Sequence, residues 1–169
     1  MKPHYRTWIA LLTLACSATA NAGDIKARIV GYGTYKVSDK YKRIETQDAP
    51  SGAGRSYNEG PIFTAVTDHI PARMGIRFGI VFELTNLPAF PGTMDLVQVL
   101  KYPPIHKPDG TTSTRFERPL KLAVSNGRIA SWTGYGFDHD YELVPGIWTF
   151  EIKFRGKTLC KQDFKVARN

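Results

Sequence analysis

The residues best suited to chemistry stand together in one run: Asp138, His139, Asp140, Tyr141 and Glu142. Two carboxylates flanking an imidazole are a donor set that a divalent metal accepts. Asp138 and Glu142 also form a carboxylate pair of the kind a glycosidase needs. Against both readings, neighbours on an extended chain point in opposite directions, which spoils a shared site. Glu142 also precedes the turn Val144-Pro145-Gly146, where a carboxylate can serve structure by accepting backbone N–H bonds. The other histidines of the mature region read as surface residues, His69 near a strand end and His106 in a proline loop. The chain has no Gly-x-Ser-x-Gly elbow, no His-Glu-x-x-His and no convincing Cys–His pair. The run Gly31-Tyr32-Gly33-Thr34-Tyr35-Lys36 lacks the strand–loop–helix setting of a phosphate loop. The residues therefore assign no catalytic group, no metal site and no cofactor. The five residues 138–142 remain as candidate binding residues.

The elements that must position them are strands. Trp148, Phe150, Ile152 and Phe154 alternate with Thr149, Glu151, Lys153 and Arg155, which puts four large apolar groups on one face. After Arg155-Gly156-Lys157 a second alternating run carries Cys160, Gln162, Phe164 and Val166, so the pair reads as a C-terminal β-hairpin. Residues 75–87 form the next clearest strand. Ile76, Phe78, Ile80, Phe82 and Leu84 share one face, with Arg77, Gly79 and Glu83 on the other. Further strands are expected at 25–33, 61–70, 93–101, 116–124 and 128–135. The last two are joined by Ser125-Asn126-Gly127, a strong hairpin signal. Residues 40–46 suit an edge strand, 49–60 a long mobile loop, and 102–110 a stiff proline loop with a Pro-Asp-Gly turn.

No segment keeps a helical period. Seven or eight short strands separated by turn signals predict an all-β protein, an antiparallel β-sandwich of immunoglobulin-like type. The expected core holds Phe78, Phe82, Trp148, Phe150, Ile152, Phe154 and Phe164.

The first residues bear on compartment. Lys2 and Arg6 precede an apolar run, Trp8 to Ala15, that is short for a membrane span. Ala20-Asn21-Ala22 then offers a signal-peptidase pattern. Residues 1–22 thus read as a signal peptide and 23–169 as one domain, periplasmic or secreted, starting at Gly23. A lipoprotein reading at Cys16 fits less well, because Thr13 stands where Leu is usual. Cleavage removes Lys2 and Arg6 from 23 basic residues and leaves 21 against 15 acidic ones, a formal charge of +6. It also leaves Cys160 as the one thiol, which forbids an internal disulfide and favours a small buried apolar role.

Three matches carry a family resemblance. Thr67-Asp68-His69-Ile70-Pro71-Ala72-Arg73-Met74-Gly75-Ile76-Arg77-Phe78-Gly79 follows a T-D-x-I-P-A-x-x-G-x-x-F-G pattern. The second match is Pro103-Pro104 with Lys107-Pro108-Asp109-Gly110. The third runs from Gly134-Tyr135 and Phe137-Asp138 through Glu142-Leu143-Val144-Pro145-Gly146-Ile147-Trp148 to Phe164-Lys165-Val166. Together they span most of the mature chain. They resemble the bacterial exported family known as domain of unknown function 3859, whose members often carry Trp where Tyr141 stands. That resemblance supports the fold and lends no activity.

The functional expectation is an exported, non-catalytic accessory or binding domain. Its partner would be a periplasmic protein or an anionic envelope polymer rather than nucleic acid, with no transmembrane segment after signal cleavage. The basic groups 36–43, 115–121 and 153–165 suit an anionic partner, but edge lysines also discourage strand aggregation. The alternative is a hydrolase or metal-dependent enzyme with a loop-borne site near 138–142.

Overall fold

Alternation of apolar and polar residues along the chain yields eleven strands among the described residues. The computed structural model describes residues 24–38, 41–45, 50, 53–57, 59–87 and 92–168, with backbone alone for 41–45 and 53–57. In chain order the strands are β1 (Lys26–Lys36), β2 (Tyr41–Glu45), β3 (Ala53–Tyr57), β4 (Ile62–Ala65), β5 (His69–Pro71) and β6 (Arg77–Thr85). Then follow β7 (Gly92–His106), β8 (Thr112–Val124), β9 (Ile129–Gly136), β10 (Gly146–Phe154) and β11 (Lys157–Ala167). One sheet has the order β4-β1-β6-β9 and the other β5-β11-β10-β7-β8, while β2 and β3 form a separate ladder. The β5–β11 pair is parallel. Residues 1–22, read as a signal peptide, lie outside the described residues.

The C-terminal hairpin forms in the expected place. Phe154 pairs with Lys157, leaving Arg155-Gly156 as a two-residue turn with φ of 48° and 79°. Both values are positive, which gives the turn a twist that matches the strands it joins. Trp148, Phe150, Ile152 and Phe164 are fully buried. Phe154 is only half-buried. It stands at the end of the strand, still packed against the core, with the Arg155 guanidinium over its ring at 5.0 Å.

The core is aromatic, and Phe78 is its hub. Its ring centroid lies 5.4 Å from that of Phe137, 5.8 Å from Trp148, 5.7 Å from Phe150 and 5.2 Å from Phe164. Most of these contacts are edge-to-face, the arrangement the ring quadrupoles favour. Because Phe78 belongs to one sheet and Trp148, Phe150 and Phe164 to the other, these contacts join the layers of the sandwich. Phe82, Ile80 and Leu84 extend the same face of β6.

Four sequence expectations need revision. The segment 61–70 is two strands in opposite sheets, β4 and β5, so the two main sheets contain nine strands. Within 49–60, residues 53–57 are a strand paired with β2. The proline segment is largely strand. β7 runs through Pro103 and Pro104 because its register with β8 shifts between Lys101 and Ile105, where no ladder bond is asked of a proline. Residues 107–111 alone make the turn, closed by Thr111 N–H donating to Asp109 at 2.8 Å.

The fourth revision concerns Asn126-Gly127. Both residues have positive φ, 51° and 70°, as the dipeptide predicts. Yet the strands they join do not pair beyond a single bridge, Ser125 to Arg128. β8 pairs with β7 and β9 with β6, so the turn carries the chain from one sheet to the other.

Candidate functional site

β9 ends at Gly136, and Phe137 plugs into the core. Its backbone is tied to the start of β6: Phe137 N–H donates to Ile76 at 3.0 Å and Gly75 N–H to Phe137 at 2.8 Å. The chain then turns through Asp138 and His139 into a single 3-10 turn, Asp140–Glu142. It re-enters the sandwich at Gly146, whose φ is 135°. A Cβ there would lie 2.6 Å from Pro103 Cγ, so the tight entry calls for glycine.

Glu142 faces inward and is fully buried. Its Oε1 accepts the Tyr135 hydroxyl at 2.5 Å. Its Oε2 accepts the backbone N–H groups of Asp138 at 2.7 Å and His139 at 2.8 Å. A glutamate reaching back three residues to the cap N–H is half of a capping box. The structural role expected from the sequence is thus present, but the donors lie upstream at Asp138 and His139 rather than in the Val144-Pro145-Gly146 turn. Trp148 closes the downstream side by donating its Nε1–H to Val144 at 3.1 Å. Its ring packs 5.1 Å from Tyr135 and 5.0 Å from Tyr102.

Burial pushes the Glu142 carboxyl above its ordinary range, against the pull of the three hydrogen bonds and of His139. Burial and the adjacent Glu142 charge push the Tyr135 hydroxyl up as well.

The other four residues of the run turn elsewhere. Asp138 faces Arg77 at 3.5 Å. The His139 and Tyr141 rings stack in parallel, 5.1 Å apart at 8°. The Tyr141 hydroxyl donates to the Pro50 carbonyl at 3.2 Å. Asp140 is exposed. The run therefore does not converge on one point. Among the described residues no group of three or more His, Cys, Asp or Glu is placed to hold a metal ion. His69 sits 2.7 Å from Asp68, and His106 lies 2.9 Å from Thr112.

Much of the basic charge on the outer face of the five-stranded sheet is matched by acid. Lys101 and Lys153 meet Glu151 at 2.5 and 3.3 Å, Lys161 meets Asp163 at 3.7 Å, and Arg115 pairs with Glu117. Cys160 is free and half-buried, and burial raises its thiol to about 11, so it stays protonated at neutral pH.

A different feature went unread in the sequence. β4 is the terminal strand of its sheet, and Ile62 and Val66 at and just beyond its ends are each 73% exposed. Alternation in so short a strand is too weak to show which edge stays open.

The family model for domain of unknown function 3859 matches residues 25–166. The chain belongs to that family. No curated protein matches this chain. Among solved structures, an immunoglobulin-like protein from Pseudomonas aeruginosa is similar, at 21% identity with a TM-score of 0.59. The match covers 87% of this chain and 99% of that one. At this identity the likeness concerns the fold, which places the DUF3859 domain among immunoglobulin-like sandwiches.

Proposed function

We propose that this DUF3859 domain is an exported, non-catalytic binding module that takes an extended segment of a partner protein along β4. The observation that carries the reading is the character of that edge. A terminal strand presents unpaired N–H and C=O groups, and another extended backbone is what matches them. Ile62, Phe63, Thr64, Ala65 and Val66 carry no charge to repel it, although a bulge at Thr64 bends the strand. The terminal strands of the other sheet are guarded. β8 carries Arg115, Glu117, Arg118, Pro119 and Lys121, and β5 has three residues and ends at Pro71.

The non-catalytic side of the reading draws on Glu142, whose two oxygens are both occupied by internal donors. Export draws on Lys2, Arg6, the apolar run and Ala20-Asn21-Ala22. The ion pairs on the outer face of the five-stranded sheet leave an anionic polymer less unmatched charge to bind.

The test is a photocrosslinking amino acid at position 62 in the mature domain, presented to envelope extract. The expected product is a discrete protein adduct that disappears when Val66→Lys is added. The same adduct from a crosslinker at exposed Thr114, on the opposite sheet, would sink the edge reading.

A further inference from the structure

Three buried glutamates differ in what answers their charge. Glu83 has Arg28 and Arg128, and Glu151 has Lys101 and Lys153. Among the described residues no lysine or arginine pairs with Glu142. Three neutral donors surround it. A carboxylate in that setting keeps its charge with only part of the burial cost offset by hydrogen bonds, and a proton removes that cost.

We propose that Glu142 is a proton-operated latch on the loop end of the sandwich: it takes up a proton inside the folded domain on mild acidification, and the neutral acid holds the 138–142 turn more firmly than the carboxylate does. The proton comes from solvent and binds Oε1. The new O–H donates to the Tyr135 oxygen, and the Tyr135 hydrogen rotates away. Oε2 goes on accepting the Asp138 and His139 N–H groups, so the backbone bonds survive. One neutral donor loses its acceptor while one buried charge disappears. Desolvation acts on the charged form alone, so the exchange favours the acid.

The groups around Glu142 leave it in control of this pH range. Tyr135 comes from β9 and Tyr102 from β7, and both are pushed above their ordinary range by burial. Tyr141 is raised too, by burial and by the Glu142 charge. All three stay neutral. The Asp138–Arg77 pair lies beside the turn at 3.5 Å. The His139 side chain pulls the Glu142 carboxyl down, opposing the latch. The readout of the latch is local. Glu142 fixes the His139 backbone, His139 stacks on Tyr141, and Tyr141 holds Pro50 in the β2–β3 connection.

A group whose folded pKa is raised contributes stability fully below its unfolded pKa and loses it as pH rises through the folded pKa. The domain should therefore gain stability from Glu142 as pH falls from neutral toward about pH 4, the ordinary glutamate range, where the raised carboxyl protonates before an exposed one does. The deciding measurement is carbon-13 NMR of side-chain carboxyls in the wild-type domain, with urea midpoints for wild type, Glu142→Gln and His139→Gln over the same range. The Glu142 carbon should titrate well above the other glutamates. The wild-type midpoint should climb relative to Glu142→Gln, and more steeply in His139→Gln. A Glu142 carbon that stays ionised down to about pH 4, the ordinary glutamate range, overturns the proposal. So do wild-type and Glu142→Gln midpoints that run parallel. The NMR titration needs no variant, so a poorly folding Glu142→Gln leaves the proposal open to refutation.

Discussion

Glu142 and Glu151 sit at the entrance and in the middle of the same strand region, and both are buried. Their carboxyls move in opposite directions. At Glu142 burial dominates and raises the carboxyl despite three hydrogen bonds. At Glu151 burial is also the largest single influence, but the bonds and charges of Lys101 and Lys153 together outweigh it and lower the carboxyl. Neutral donors make a buried carboxylate tolerable, and cations make it favourable. The first arrangement suits a joint that must be shaped, since directed N–H and O–H bonds fix the 138–142 turn. The second suits an outer sheet face, where lysine stems can cover apolar surface and still reach water.

The largest way to break this contrast is Trp148→Ala. Trp148 is fully buried, packs on Phe78, Tyr102, Tyr135 and Phe137, and holds the Val144 carbonyl. Deleting a buried aromatic of this size costs ~3–5 kcal/mol, a large share of the ~5–15 kcal/mol that holds such a domain together. Urea unfolding measures it. Water admitted beside Tyr135 should also bring the Glu142 carboxyl back toward the ordinary range and leave Glu151 alone. A variant of near wild-type stability would show that the corner does not depend on its aromatic wall.

A smaller break targets the carboxylate itself. Glu142→Leu leaves the Tyr135 hydroxyl and two backbone N–H groups without an acceptor. At ~1–3 kcal/mol for each buried donor left unmade, the loss should exceed 2 kcal/mol even after partial relaxation. Glu142→Gln keeps one oxygen for the two N–H groups and removes the charge, so its cost at neutral pH should be at most ~1 kcal/mol. Equal losses in the two variants would mean that the hydrogen bonds of this carboxylate do not shape the turn.

Two turns show how far the residues alone could lead. Asn126-Gly127 and Arg155-Gly156 both adopt positive φ at both positions. The first is the stronger sequence signal, yet only the second joins a hairpin. Local chemistry sets the turn, and pairing is decided by which neighbour buries the rest of each strand. β7 claims β8 and β6 claims β9, choices made at long range. The apolar faces of β6 and β10 were legible because alternation survives any choice of partner. Phe154 keeps the face that alternation gives it and packs against the core, half-buried at the end of its strand. At 138–142 the carboxylates were visible as residue types. The role of Glu142 required knowing that the Tyr135 hydroxyl and the Asp138 N–H face its carboxyl, which depends on how the chain leaves β9. The open edge of β4 was hidden because 61–70 divides between two sheets.

The finest test of the contrast uses Glu151→Gln, where the expected effect is small and its dependence on conditions is the signature. Glu151 is buried, but the Lys101 side chain is 45% exposed, so solvent and salt screen the pair. Removing the Glu151 charge at neutral pH and low salt should cost ~1 kcal/mol or less. A lowered folded pKa gives stability above the unfolded value that is lost as pH falls through the folded one. The Glu151 contribution should therefore hold at neutral pH and fade below about pH 4, the reverse of Glu142. High salt should shrink the Glu151→Gln loss and leave the Glu142→Gln loss nearly unchanged, because the hydrogen-bond partners of Glu142 are three neutral donors. Urea midpoints of both variants at low and high salt distinguish the two designs. Equal salt sensitivity at the two positions would mean that both carboxylates are answered in the same way, and the contrast between a shaped joint and a charged surface would fail.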